Sequence, residues 1–166
     1  MMRVAILTIS DAGARGERAD ASGDAIAAWA AGKGWSVAER RIVPDDTVAI
    51  ASAIIGWCDY DAADLVLTTG GTGLAARDVT PEGTRAALER EAPGIAEWLR
   101  LSGAARFPRA VLSRGVAGVR ARTLVVNLPG SPSGVKDGLA ALEAVVEHAV
   151  AIARGTVTSH DAGGTA

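Results

Sequence analysis

The stretch LVLTTGGTGLAARDVTPEGT, residues 65–84, sets a strand that is apolar on both faces directly against a glycine turn and a helix start. Leu65, Val66 and Leu67 leave no polar face for solvent, which calls for a sheet covered by helices on each side. The chain must then turn. Gly70, Gly71 and Gly73 can take positive φ and bring bare backbone N–H groups close to an anion, while Thr68, Thr69 and Thr72 add hydroxyl donors. Thr80 is placed to cap a helix and Pro81 to occupy its first position, so Arg77 and Asp78 lie just ahead of a helix start. In an open α/β sheet the loops at the carboxyl ends of the strands line the ligand crevice, and Asp78 is expected to face it. The same glycines also suit a plain strand-to-helix connection, and GGTG alone does not separate the two readings. No GxxxxGK[ST] string occurs and no GxGxxG follows the first strand, which excludes a Walker-type P-loop and a Rossmann dinucleotide site.

Around this segment, strand and helix patterns alternate. Residues 4–9 read as the first strand, and residues 10–20, with Gly13 and Gly16, as a polar loop longer than a connector needs, which marks it as functional. A helix follows from Ser22, with Ile26, Ala27, Trp29, Ala30 and Ala31 as its apolar positions, and ends at residues 32–34 before a strand over 35–43. Pro44 breaks that strand. Asp45 or Asp46 can cap the next helix, whose buried face takes Val48, Ile50, Ala51, Ile54, Ile55 and Trp57. Beyond the Pro81 helix, the Pro93 segment IAEWLRLSG and residues 107–114 read as short helices, and residues 115–119 and 123–128 as a hairpin or paired edge strands. The string NLPGSPSG makes Ser131 an N-cap and Pro132 the first residue of one long helix. Its apolar face takes Val135, Leu139, Leu142, Val145, Val146, Ala149 and Ile152, and Gly155 ends it. This alternation predicts a three-layer α/β/α sandwich with a mainly parallel sheet and one antiparallel edge excursion. It forms a single domain over residues 1–155, with a polar, flexible tail over 156–166.

The 166 residues, 49% hydrophobic and 22% charged, suffice for one core and not for two. A net charge of −2 provides no basic surface for nucleic acid, so any anionic ligand must be held locally. Cys58 is the single cysteine, which rules out an intrachain disulfide, and it reads as a small buried side chain. The opening MMRVAILTIS enters a strand without a signal-peptide pattern, and no apolar run approaches the ~20 residues of a membrane span. The expectation is a cytoplasmic protein with no membrane partner. His148 and His160 stand too far apart in the pattern to suggest a metal site, and Trp29, Trp35, Trp57 and Trp98 read as core.

Three blocks stand in order: ISDAGARGERADASG over residues 9–23, TTGGTGLAARDVTPEGT over 68–84 and NLPGSPSG over 127–134. Their arrangement closely resembles the MogA/MoaB family of molybdenum-cofactor biosynthesis proteins across nearly the whole chain. The TTGGTG…RDVTPE string is the specific element, and the match favours the MogA-like, adenylylating branch. The resemblance implies a molybdopterin adenylyltransferase with ATP as co-substrate and Mg²⁺ as its metal. Such an enzyme joins AMP to the terminal phosphate of molybdopterin, releases pyrophosphate, works as a homotrimer and hands its product to a molybdate-insertion protein. A non-catalytic molybdopterin-binding or scaffold protein of the same fold is the alternative. The family's catalytic and metal-holding acids fall on Asp45, in IVPDD, and Asp78, in RDVTPE. Nucleotide or phosphate binding falls on Thr69, Gly70, Gly71, Thr72 and Gly73. Substrate binding falls on Ser10, Asp11, Ser22 and Gly23, with Asp20 in the same loop, and on Asn127, Pro129, Gly130 and Ser131. Carboxylates beside a phosphate cradle favour the enzyme reading, because they repel a bare anion yet hold Mg²⁺. Ala21 and Ala76 stand where the family more often has threonine and proline, and Arg77 suits either a phosphate contact or a surface salt bridge.

Overall fold

The computed structural model describes residues 1–157; the rest of the expected tail, with His160, lies outside the described residues. Strand β1 (Arg3–Ile9) leads through a single helical turn, α1 (Asp11–Ala14), to α2 (Ala21–Gly32), β2 (Ser36–Val43) and α3 (Thr47–Asp59). Then come β3 (Leu65–Thr69), α4 (Thr80–Ala87), the short β4 (Arg90–Glu91), α5 (Pro93–Ala104) and a 3-10 turn (Pro108–Leu112). The hairpin β5 (Ala117–Arg120) and β6 (Thr123–Leu128) precedes α6 (Pro132–Leu142) and α7 (Val146–Arg154). The sheet runs β2-β1-β3-β6-β5-β4. Its first four strands are parallel, β5 is antiparallel to β6, and β4 is antiparallel to β5, so the expected three-layer sandwich with an antiparallel edge stands. No described helix is long and apolar enough to cross a membrane.

Strand alternation splits the core into two layers. Val4, Ile6, Leu65, Leu67, Leu124, Val126 and Leu128 point to one face, under Ile26, Leu139, Leu142, Val146 and Val150. Ala5, Leu7, Val66 and Val125 point to the other, under Ile50, Ile54 and Trp57. Each fully buried Leu or Ile contributes about 1.5–3 kcal/mol by leaving water. Cys58 is buried in the second layer, and that burial pushes its thiol up to about 11.

Several local expectations are corrected. Helix α2 starts at Ala21, one residue before Ser22, and its cap is Asp20, which accepts from the Gly23 amide. Of the two neighbouring acids, Asp46 caps α3 by accepting from the Ala49 amide at 2.8 Å, which leaves Asp45 for other contacts. Thr80 is the first residue of α4 and no cap; its hydroxyl donates to the Gly70 carbonyl instead. The loop over 10–20 contains the turn α1, capped by Ser10. The Pro93 segment forms one helix of 12 residues, and β4 was not anticipated. The final helix is broken at 143–145, where Val145 leaves helical geometry at φ −131° and ψ −20°. Both halves bury into the same core layer, so apolar periodicity runs unbroken across the interruption. Trp98 is 46% exposed, with its indole N–H donating to the Ala141 carbonyl, and is not core. Ser131 caps α6 and Gly155 ends α7 at φ 72°, both as expected.

Candidate active site at the switch point of the sheet

From β1 the chain crosses to β2 on one side, and β3 then returns to pair on the other side of β1. Divergent connections of this kind open a crevice above the carboxyl ends of the central strands. The glycine turn after β3 fills its floor. Gly70, at φ 95°, lies flat on the end of β1, where a Cβ would sit 2.3 Å from the Ile9 carbonyl oxygen. Gly71, at φ 66°, leaves no room for a Cβ either, with Thr80 Oγ1 at 2.3 Å and Asp45 Oδ1 at 3.1 Å. Thr80 staples this turn, its hydroxyl donating to the Gly70 carbonyl at 2.8 Å and its amide to the Gly71 carbonyl at 3.0 Å. Hydroxyls lace the neighbouring loops to it: Thr69 donates to the Pro129 carbonyl at 2.6 Å, and Ser22 to the Gly130 carbonyl at 2.7 Å.

Two cavities meet at this turn. An acidic one of about 680 Å³ is lined by Ser10, Arg18, Asp20, Ser22, Thr69, Asp45 and Asp78 among others. A second of about 390 Å³ lies beneath α5, the 3-10 turn and α6, with Leu99, Phe107 and Leu112 on its walls and Arg100, Arg109, Thr72 and Gly73 at its edges. Gly71, Asp78, Gly130 and Ser131 border both, forming a shared wall.

The acids of this wall are held by short local contacts. Asp45 Oδ2 accepts from the Asp11 amide at 3.0 Å, and Asp11 Oδ1 accepts from the Asp45 amide at 3.0 Å, a reciprocal pair between two loops. Burial, with the negative charges of Asp11 and Asp78, holds the Asp45 carboxyl above its ordinary range. Asp78 Oδ2 accepts from the Ala75 amide at 3.0 Å. Arg77 directs its guanidinium to Asp11 at 2.7 and 3.0 Å, which makes it an ion-pair partner and not a group held ready for phosphate. That pairing holds Asp11 below the usual carboxylate range. Among the described residues no three or more His, Cys, Asp or Glu side chains could hold a metal ion by themselves. Two carboxylates from separate loops facing one cavity nevertheless suit a hard dication that takes its remaining ligands from phosphate and water.

Most of the expected site residues come together here, and three do not act through their side chains in the cavities. Asp11 lies outside both linings and braces Asp45. Gly23 lies outside both linings too and serves the Asp20 cap, since a Cβ there would stand 2.1 Å from Asp20 Oδ2. Asn127 borders the second cavity, but its carboxamide is spent: it donates to Thr68 and Thr84 at 2.9 and 3.0 Å and accepts from the Val116 amide at 3.1 Å. Sequence reasoning passed over Arg18, Arg100, Arg109 and Arg114. The first lay inside a polar loop and the others in or beside a poorly periodic stretch, with no local pattern to single them out.

Fold and site together define the class: a doubly wound α/β protein with a two-cavity site at the switch point of its sheet. The family model described as "Probable molybdopterin binding domain" matches residues 5–148, and the chain belongs to that family. The molybdopterin adenylyltransferase of Helicobacter pylori (strain J99) is 36% identical over 151 residues, which cover 90% of this chain and 86% of that protein. The molybdenum cofactor synthesis protein cinnamon of Drosophila melanogaster is 43% identical over 110 residues, 66% of this chain but 18% of that longer protein. Among solved structures, the molybdopterin biosynthesis enzyme MoaB of Thermus thermophilus superposes with a TM-score of 0.88 at 52% identity, covering 93% of this chain and 98% of that one.

Proposed function

We propose that this chain is a molybdopterin adenylyltransferase that moves AMP from Mg·ATP to the terminal phosphate of molybdopterin and releases pyrophosphate. The shared wall carries the reading: Gly71, Asp78, Gly130 and Ser131 border both cavities, so two phosphorylated reactants can meet across it. The name of the Helicobacter pylori relative, aligned over most of both chains, supports the same activity.

In this reading Asp45 and Asp78 would hold Mg²⁺, which would supply charge neutralisation between the two polyanionic reactants. The terminal phosphate, with a second pKa of about 6, is mostly ionised near neutrality and needs no strong general base. Its oxygen bonds to the α-phosphorus while the α–β bridging P–O bond breaks, and the electron pair leaves with pyrophosphate. The chain therefore contributes alignment and charge. Amides of the Thr69–Gly73 turn, with the hydroxyls of Thr72 and of Ser131 at the start of α6, orient phosphate oxygens. The Asp11 amide and the Arg77–Asp11 pair keep Asp45 turned to the reactants. A homotrimer, cytoplasmic action and hand-over to a molybdate-insertion protein belong to the same proposal. Exposed Leu101 and Val111, outside both cavity linings, offer apolar surface for self-association, and light scattering is expected to give the mass of three copies.

The test is incubation with molybdopterin and Mg·ATP, with adenylyl-molybdopterin followed by mass. Asp78→Asn is expected to lose at least about a hundredfold in rate while retaining pterin binding. Equal product from mutant and wild type removes Asp78 from the mechanism. Pterin binding without any product from wild type favours the non-catalytic alternative.

A further inference from the structure

We propose that Arg114 is the positioning residue for Asp78, and through it for the wall that the two cavities share; this rests on the adenylyl-transfer reading of that wall. Arg114 follows the 3-10 turn and reaches the loop after β3. Its amide donates to the Thr72 carbonyl at 2.8 Å and its Nε to the Gly73 carbonyl at 2.8 Å. Its Nη2 donates to the Asp78 carbonyl and its Nη1 to Glu82 Oε1, each at 2.5 Å. The two carbonyls gripped by the guanidinium belong to the first and last residues of segment 73–78. One planar group therefore fixes the distance between the ends of the loop that carries the acid.

Thr80 closes the wider turn onto Gly70 and Gly71, and Arg114 is the side chain that grips the carbonyls at both ends of segment 73–78 itself. Residues 74–77 are exposed, Leu74 included, and no apolar packing anchors them. Within the loop the contacts are local: the Asp78 amide donates to the Ala75 carbonyl at 3.0 Å and the Ala75 amide to Asp78 Oδ2 at 3.0 Å. The direction of the carboxylate thus follows how the loop is closed. Arg77 tethers the far side through Asp11, and Arg114 tethers the side facing the second cavity. Glu82, in the first turn of α4, takes the remaining arm of the fork and balances its charge. A lysine carries its three donors on one nitrogen and lacks the planar spread by which Arg114 meets two carbonyls and a carboxylate from three separate nitrogens.

Backbone amide hydrogen exchange on the ligand-free full chain tests this directly, alongside steady-state adenylyl transfer, in Arg114→Lys, Arg114→Met and Glu82→Gln. Both Arg114 variants are expected to speed exchange at Ala75 and Asp78 by about tenfold or more, with β3 and β6 unchanged, and Glu82→Gln by less. Arg114→Lys is expected to lower kcat at least about tenfold while KM for ATP stays within about threefold, because the phosphate cradle itself is intact. Should Arg114→Met fail to fold, Arg114→Lys and Glu82→Gln keep the test open. Wild-type exchange over 73–78 in Arg114→Lys overturns the proposal. So does wild-type kcat, and so does faster exchange spread evenly through β3 and β6, which would make Arg114 a general brace. Loop-confined faster exchange in a protein whose wild type makes no adenylylated product upholds the positioning role and defeats the transferase reading alone.

Discussion

At the amino ends of the parallel strands, Asp64 accepts the Arg3 amide at 2.7 Å and two guanidinium nitrogens of Arg3 at 2.7 and 3.3 Å, with Arg154 Nε 3.4 Å away. Asp59 there takes both arms of Arg120 at 2.8 Å. At the carboxyl ends, Asp45 and Asp78 each receive one backbone amide, and among the described residues neither carboxylate has an ion pair. Burial works against the charge of Asp64, yet Arg3 brings its carboxyl below the ordinary range, whereas burial and like charges bring that of Asp45 above it. One end of the sheet uses acids to bind the fold together. At the other, Asp11 and Asp20 are paired with Arg77 and Arg40, but Asp45 and Asp78 carry no ion pair of their own, which is the condition under which an acid can do work on a ligand.

The backbone gives the widest gap between the two ends. Gly70→Ala is expected to cost about 3 kcal/mol or more, since a Cβ meets the Ile9 carbonyl at 2.3 Å and φ is 95°. In the hairpin turn at the opposite end, Ala121 already sits at φ 49°, and Ala121→Gly is expected to change stability by less than about 1 kcal/mol. Urea unfolding of both variants checks this, and similar costs would break the contrast.

Exchanging single acids sharpens it next. Asp45→Asn is expected to lower the transfer rate about a hundredfold with stability unchanged or raised. Asp64→Asn is expected to lose about 1–2 kcal/mol of stability with the rate per folded molecule unchanged. The pH dependence has opposite signs. Asp64 has a depressed folded pKa, so its stabilisation is present above the ordinary carboxylate range and is lost as pH falls through the depressed value. Wild type and Asp64→Asn therefore converge in acid. Asp45 has a raised folded pKa, so its ionisation costs stability as pH rises through the carboxylate range, and Asp45→Asn removes that cost.

The smallest effect is electrostatic. The positive charge of Arg77 favours the ionised form of Asp45, so Arg77→Gln raises the Asp45 pKa further. The titration of the Asp45 carboxyl, followed by NMR in the ligand-free chain, is expected to move to higher pH. A move to lower pH would show that Arg77 does not act on Asp45 as described.

The strands were legible because runs such as Leu65, Val66 and Leu67 admit one environment, covered on both faces. The caps at Ser131 and Gly155 were legible because each works through its immediate neighbours. Asp45 and Asp46 could not be told apart locally, since both precede the helix by similar spacing and the Asp11 contact that separates their roles comes from 34 residues away. Thr80 resembled a cap because it precedes proline, and its real partner is a glycine carbonyl across the turn. The broken final helix kept its periodicity because both pieces cover one core. Arg114 was invisible for a related reason: its partners are carbonyls 41 and 36 residues away, which carry no side-chain signature.

The buried thiol of Cys58 has a practical consequence. With its ionisation pushed up to about 11, almost none of it is thiolate near neutrality, and it reacts slowly with maleimides. The chain therefore supplies a silent background for labelling: a cysteine introduced at exposed Leu74 would be the one fast-reacting thiol, and a fluorophore attached there would report on the surroundings of the Asp78 loop as ligands are added.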